Sequence, residues 1–180
     1  MFKTTCTGKA LDYCTAPCPW VRRWAGAIDV DGPVLDLACG GGRHTAYLTL
    51  LGYPVIAIDR EIDGMKAFES VPTVTLLEAD VENGPWPLEP KSLAGIVITN
   101  YLHRPHFRTY YETLKSGGLF IMETFTTKNT ERFGRPRNPD HVLKPGELYR
   151  LMSPEAELVA YEETQTEGET FVARIVWRKP

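Results

Sequence analysis

The chain has 180 residues, 43% hydrophobic and 24% charged, with a formal net charge of −3. That length supports one well-buried core, and the composition is ordinary for a single soluble globular domain without repeats or low-complexity stretches. The charge gives no general attraction to nucleic acid or an anionic membrane surface, and no apolar run reaches the length that spans a bilayer.

The N-terminal stretch "MFKTTCTGKALDYC" lacks the apolar core of a signal peptide, so a cytoplasmic location is expected. Cys6, Cys14, Cys18 and Cys39 form neither a CxxC pair nor a dense even framework. Free thiols are expected, and no metal site. Residues 1–33 read as a capping segment, with "PWVRRWAGAI" a lid or capping helix outside the sheet.

From Pro33 onward, strand-length apolar runs alternate with helical periodicity. "PVLDLAC" is the first strand, and "HTAYLTLLG" the helix after it, closed by Gly52. "PVIAIDR", a short helix "DGMKAFESV", the strand "VTLLEAD" and a Pro-rich turn follow. "LAGIVITNYL" is the fourth strand, "HFRTYYETLKSGG" a helix stopped by Gly117 and Gly118, and "LFIMETF" the fifth strand. A long polar loop, "TTKNTERFGRPRNPDHVLKPGE", leads to the helix "KPGELYRLMS". "ELVAYEETQT" and "TFVARIVWRK" pair as a hairpin around "EGE". The expected fold is α/β: a doubly wound, Rossmann-like, mostly parallel seven-stranded sheet with a C-terminal antiparallel hairpin, all in one domain. Such sheets bind ligands at the carboxyl ends of their strands, where the strand order reverses.

Gly40, Gly41 and Gly42 stand at such an end, between the first strand and its helix. Glycine permits the sharp turn and lets a ligand approach the backbone closely. A dinucleotide fingerprint would be G-x-G-x-x-G, but its third place holds Thr45, and Asp36 lies four residues ahead of Gly40. A carboxylate there repels a pyrophosphate and favours a ligand carrying an ammonium and a sulfonium.

"VLDLACGGG" resembles motif I of the class I S-adenosylmethionine-dependent methyltransferases: an acid, two residues, Cys or a small residue, then Gly-x-Gly. Ala38 stands where many members have glycine. The similarity runs over nearly the whole chain and implies S-adenosylmethionine as cofactor, held around Asp36, Ala38, Cys39, Gly40 and Gly42. It implies further donor contacts from Asp59 and Arg60 after the second strand, from Asp80 and Val81 after the third, and from Asn100 after the fourth. Asp59 corresponds to the acid that takes the ribose hydroxyls, and a carboxylate suits a vicinal diol; otherwise it caps the next helix. Asp80 corresponds to the residue receiving the adenine amino group, with the Val81 amide facing a ring nitrogen; otherwise it forms a turn.

The base-methylating members carry an Asp/Asn-Pro-Pro-aromatic motif where this chain has Asn100, Tyr101 and Leu102. "NYLHRPHF" and the loop after strand five look more like small bacterial tellurite-resistance-like methyltransferases, which implies a small-molecule acceptor rather than nucleic acid. His103 or His106 is the candidate general base for a hydroxyl or thiol acceptor; alternatively "HRPH" is a polar helix start. Tyr101 lines the acceptor pocket, stacks on the donor, or packs. Arg132, Arg135 and Arg137 give the long loop a local positive excess, read either as recognition of a carboxylate or phosphate or as a solvated flap. Glu123 is an acceptor contact or a buried partner of one of these arginines. The competing functions are RNA or protein methylation, a non-catalytic nucleotide-binding subunit, and an NAD-dependent dehydrogenase.

Overall fold

A computed structural model describes residues 16–180; Cys6, Cys14 and the first half of the expected capping segment lie outside the described residues. The described residues open with α1 (Pro19–Trp24) and a 3₁₀ turn, Ala25–Ala27. The sheet begins with β1 (Val34–Leu37), then α2 (Arg43–Leu50), β2 (Val55–Asp59), a 3₁₀ helix Asp63–Phe68, and β3 (Val74–Glu78). It continues through β4 (Leu93–Thr99), α3 (Phe107–Thr113), β5 (Leu114–Phe125), α4 (Thr127–Phe133) and α5 (Glu147–Leu151), and ends with β6 (Glu157–Gln165) and β7 (Phe171–Arg178).

The seven strands lie in the order β3-β2-β1-β4-β5-β7-β6. β1 to β5 pair parallel, and β7 pairs antiparallel with both β5 and β6. Connections run one way from β1 to β3 and the other way from β4 onward, so the order reverses between β1 and β4. All seven residues of β4 are buried, as a central parallel strand covered on both faces requires. One face packs Phe107, Tyr110 and Leu148 over Leu35, Leu37, Ile96, Ile98 and Phe120. The other packs Trp20, Val21 and Ala25 over Val34, Val97, Leu119 and Ile121, so "PWVRRWAGAI" lies against the sheet rather than in it.

α2 ends as its sequence suggests. Gly52 takes φ +90°, its amide reaches Thr49 O at 2.9 Å and the Tyr53 amide reaches Leu48 O at 3.2 Å, the paired bonds of a Schellman motif. Two expectations need correction. The helix read over residues 106–118 stops at Thr113, because Leu114 turns extended, buries completely and pairs with Leu93; the KSGG stretch belongs to a long, irregular β5. Nor is the polar segment after β5 a plain loop: it contains α4 and a 3₁₀ turn, Pro139–His141. Asn129 anchors it, with Nδ2 donating to Arg135 O and Oδ1 accepting the Phe171 amide.

Candidate active site

The β1–α2 connection is a tight backbone turn. Ala38, Gly40 and Gly42 adopt φ +55°, +54° and +82°, a region that glycine enters freely and alanine only with strain. A side chain at Gly42 would strike Met65 and Phe68, whereas one at Gly40 would meet nothing within 4 Å. Gly40 therefore presents bare backbone to open space. Its amide donates to Asp59 Oδ2 at 2.8 Å, which ties the turn to the end of β2.

Asp36 sits behind this turn rather than on its open side. It is 2% exposed and accepts the Thr45 hydroxyl at 2.6 Å. Burial pushes its acid up to about 6, against the pull of the Thr45 bond and the Arg43 charge. Burial likewise raises the Cys39 thiol well above its ordinary value, with Asp36 adding to the effect, so Cys39 stays protonated and inert.

Beside the turn, a cavity of about 290 Å³ opens at the carboxyl ends of β1, β2, β3 and β4. Its wall includes Ala38, Asp59, Arg60, Asp80, Val81, Asn100 and Tyr101, drawn from four separate strand ends, together with Glu82, Asn83, Leu102 and His141. Asp80 spends its carboxylate on the local turn, accepting the amides of Glu82 and Asn83 and, at 2.8 Å, the Asn83 side chain. The Asn83 bond leads in holding that acid below its usual range. The result is a fixed turn that sets Val81 against the cavity. Asn100 is another strained position, at φ +55°. Burial raises the Tyr101 hydroxyl far above its ordinary value, and that hydroxyl has no hydrogen-bond partner among the described residues.

Neither His103 nor His106 lines this cavity, although His103 lies next to its wall at Leu102 and Glu82. His106 packs its ring against Trp86 and Tyr110, and burial lowers its pKa, favouring the neutral imidazole. His103 stacks edge-on with His106 and approaches Glu82 at 3.9 Å. Glu123 is 7% exposed and accepts from Arg174 Nε at 2.5 Å, so its basic partner comes from β7 and not from the loop. Arg132, Arg135 and Arg137 are solvent-exposed; Arg132 lies over Phe133, and Arg135 lines a separate groove with Phe125 and Phe133.

Sequence reasoning did not single out His141, Glu82 or His44. His141 was hidden inside the supposed loop. His44 is 2% exposed, and burial, followed by the Arg43 charge, lowers it to about 3, so the ring is neutral. Its Nε2 accepts the Cys18 amide at 3.2 Å, leaving the proton on Nδ1 to donate to Thr99 Oγ1 at 3.3 Å. The imidazole thus fastens the N-terminal segment to the end of β4.

This donor set fits S-adenosylmethionine. The Asp59 carboxylate has acceptor capacity left beyond the Gly40 and Glu61 amides for a ribose diol, and the bare turn at Gly40 leaves room for a sulfur-bearing chain. Residues 24–82, which span the turn, Asp59 and Asp80, match the family model described as tellurite resistance protein TehB. No curated protein sequence matches the chain. Among solved structures, it resembles an S-adenosylmethionine-dependent methyltransferase from Mesorhizobium loti at 16% identity, over 89% of this chain and 97% of that one, with TM-score 0.71. A SAM-dependent methyltransferase from Methanosarcina mazei gives 16% identity over 92% and 99%, with TM-score 0.66. TehB from Haemophilus influenzae gives 22% identity, 87% of this chain, 60% of that one, and TM-score 0.65. The chain thus has the fold of these S-adenosylmethionine-dependent methyltransferases, and residues 24–82 resemble the TehB family.

Proposed function

We propose that the chain transfers the methyl group of S-adenosylmethionine to a small-molecule acceptor in the cytoplasm. The observation that carries this reading is the convergence of Ala38, Asp59, Asp80, Val81 and Asn100, from four strand ends, on one cavity beside a bare glycine turn. The donor lies with its ribose on Asp59, its adenine against Val81 and its sulfonium near the turn, where the buried Asp36 charge favours a cation. A sulfonium is already a strong methyl donor, so the protein's task is to align the acceptor with the methyl–sulfur axis and keep water away.

Tyr101 and Asn100, on the cavity wall, are the side chains placed to meet an acceptor. Neither His103 nor His106 forms part of that wall, so transfer by alignment is favoured over general-base catalysis. A small acceptor is supported by the segment from Thr126 to Glu147, which brings His141 to the cavity wall. Cys18 and Cys39 are free thiols, in keeping with a reducing compartment.

The test is calorimetric titration with S-adenosylhomocysteine, followed by transfer of labelled methyl from S-adenosylmethionine into a fractionated cell extract. Binding with label in the metabolite fraction supports the reading. Label in RNA or protein replaces the small acceptor, binding without transfer favours a non-catalytic subunit, and failure to bind rejects the reading.

A further inference from the structure

The geometry points to Arg104 as a positioning residue for the donor site, acting through His141. The inference rests on the donor reading above. Arg104 stands three residues beyond Tyr101, in the short 3₁₀ turn Arg104–His106. Its guanidinium reaches across to the segment that follows β5. Nη1 donates to Asp140 O at 2.6 Å and Nη2 to Val142 O at 2.8 Å, so the fork holds the peptide on both sides of His141. Nε and Nη2 also donate to the two Glu147 oxygens, at 2.7 and 3.3 Å. Glu147 in turn accepts the Lys144 amide at 2.7 Å.

One side chain therefore fixes Asp140, Val142 and Glu147 at once. Between α4 and α5 the ends of the segment are tied by Asn129 and Thr130 to Arg135 O and Pro136 O, by the Leu143–Thr126 bridge and by Glu163 on the Gly146 amide, while Arg104 takes the carbonyls beside His141 in the 3₁₀ turn Pro139–His141. The Arg104 and Glu147 side chains are 30% and 17% exposed, sheltered enough for a bidentate pair to hold its geometry. The consequence falls on His141, an exposed residue whose imidazole nevertheless forms part of the cavity wall. Asn138 Nδ2 approaches His141 Nε2 at 3.4 Å. Arg104 thus joins the Asn100–Tyr101 wall to the His141 wall, and the donor meets a cavity whose far side is already in place. A lysine has no fork and cannot make these contacts together.

The experiment is a double-mutant cycle on the full chain, read as affinity for S-adenosylhomocysteine. Arg104→Gln and His141→Ala are each expected to weaken binding about tenfold, the scale of re-ordering one or two side chains at a site. The double variant should lose no more than either single one, because both remove the same wall. Glu147→Gln replaces Arg104→Gln in the cycle if the latter does not fold, and Arg104→Lys should not restore affinity. Additive losses, or a His141→Ala chain that binds as well as wild type, overturn the inference while the donor reading stands. Failure of the wild-type chain to bind overturns both.

Discussion

Thr45 donates its hydroxyl to the Asp36 carboxylate across 2.6 Å, linking the first turn of α2 to the end of β1 in a fully buried contact. The residue that spoils a dinucleotide fingerprint is thus the one that keeps an acid beneath the glycine turn. Replacing it by valine removes the donor and leaves the carboxylate short of a partner. Thr45→Val should cost about 1–3 kcal/mol of stability at neutral pH, measured by urea unfolding. An unchanged midpoint and slope would contradict the role given to this bond.

Asp36 also sets a pH dependence. Burial raises its acid to about 6, above the unfolded value of about 4. Between those values the folded, ligand-free chain holds a proton that the unfolded chain has released, so this group's contribution to stability falls as pH rises through that window. A cationic donor favours the ionised form. Affinity for S-adenosylmethionine should therefore climb by up to about tenfold per pH unit toward pH 6 and level off above it. Thr45→Val removes the bond that holds the acid down and should move the plateau to higher pH. A flat profile across this range, measured by calorimetry, argues against any electrostatic part for Asp36.

Ala38 tests the shape of the turn. At φ +55° an L-residue carries about 1–2 kcal/mol of strain, and glycine relieves it at the expense of about 0.4–1 kcal/mol of unfolded-chain entropy. Ala38→Gly should leave the chain as stable as before or stabilise it by up to about 1.6 kcal/mol. A loss larger than that would mean the alanine methyl packs favourably enough to outweigh its strained backbone.

Glu123 separates structure from chemistry. It shares Arg174 with Glu162, at 2.5 and 2.6 Å, and both the Arg174 and Glu123 side chains are largely buried. Glu123→Ala leaves that arginine half-neutralised and should cost about 3–5 kcal/mol by chemical denaturation, with affinity for S-adenosylhomocysteine unchanged in the folded fraction. Normal stability with lost methyl transfer would instead make Glu123 an acceptor contact.

Local chemistry made much of this legible. The strands follow from apolar runs between turn residues, and the glycine turn from three glycines that end one of them. Asp59, Asp80 and Val81 were readable because a strand end fixes where the next residue goes. Contacts between distant segments were not. Arg104 meets Glu147 across 43 residues and Glu123 meets Arg174 across 51, and no periodicity connects such partners. The α3 boundary was missed for a related reason: two glycines after a helical pattern resemble a C-terminal stop, but pairing of Leu114 with Leu93 had already drawn the chain into the sheet. His141 reaches the cavity wall from a segment whose carbonyls on either side of it are held by Arg104, a contact across 36 and 38 residues.

The central claim is that a turn of bare backbone, bordered by acids, cradles a sulfonium nucleoside. Its most direct test is a crystal structure of the chain with S-adenosylhomocysteine. The account predicts ribose hydroxyls on Asp59, adenine against Val81 and sulfur beside the Ala38–Gly42 turn. A ligand seated outside this cavity, or one that leaves Asp59 bonded to the Gly40 amide with no ribose contact, would contradict it.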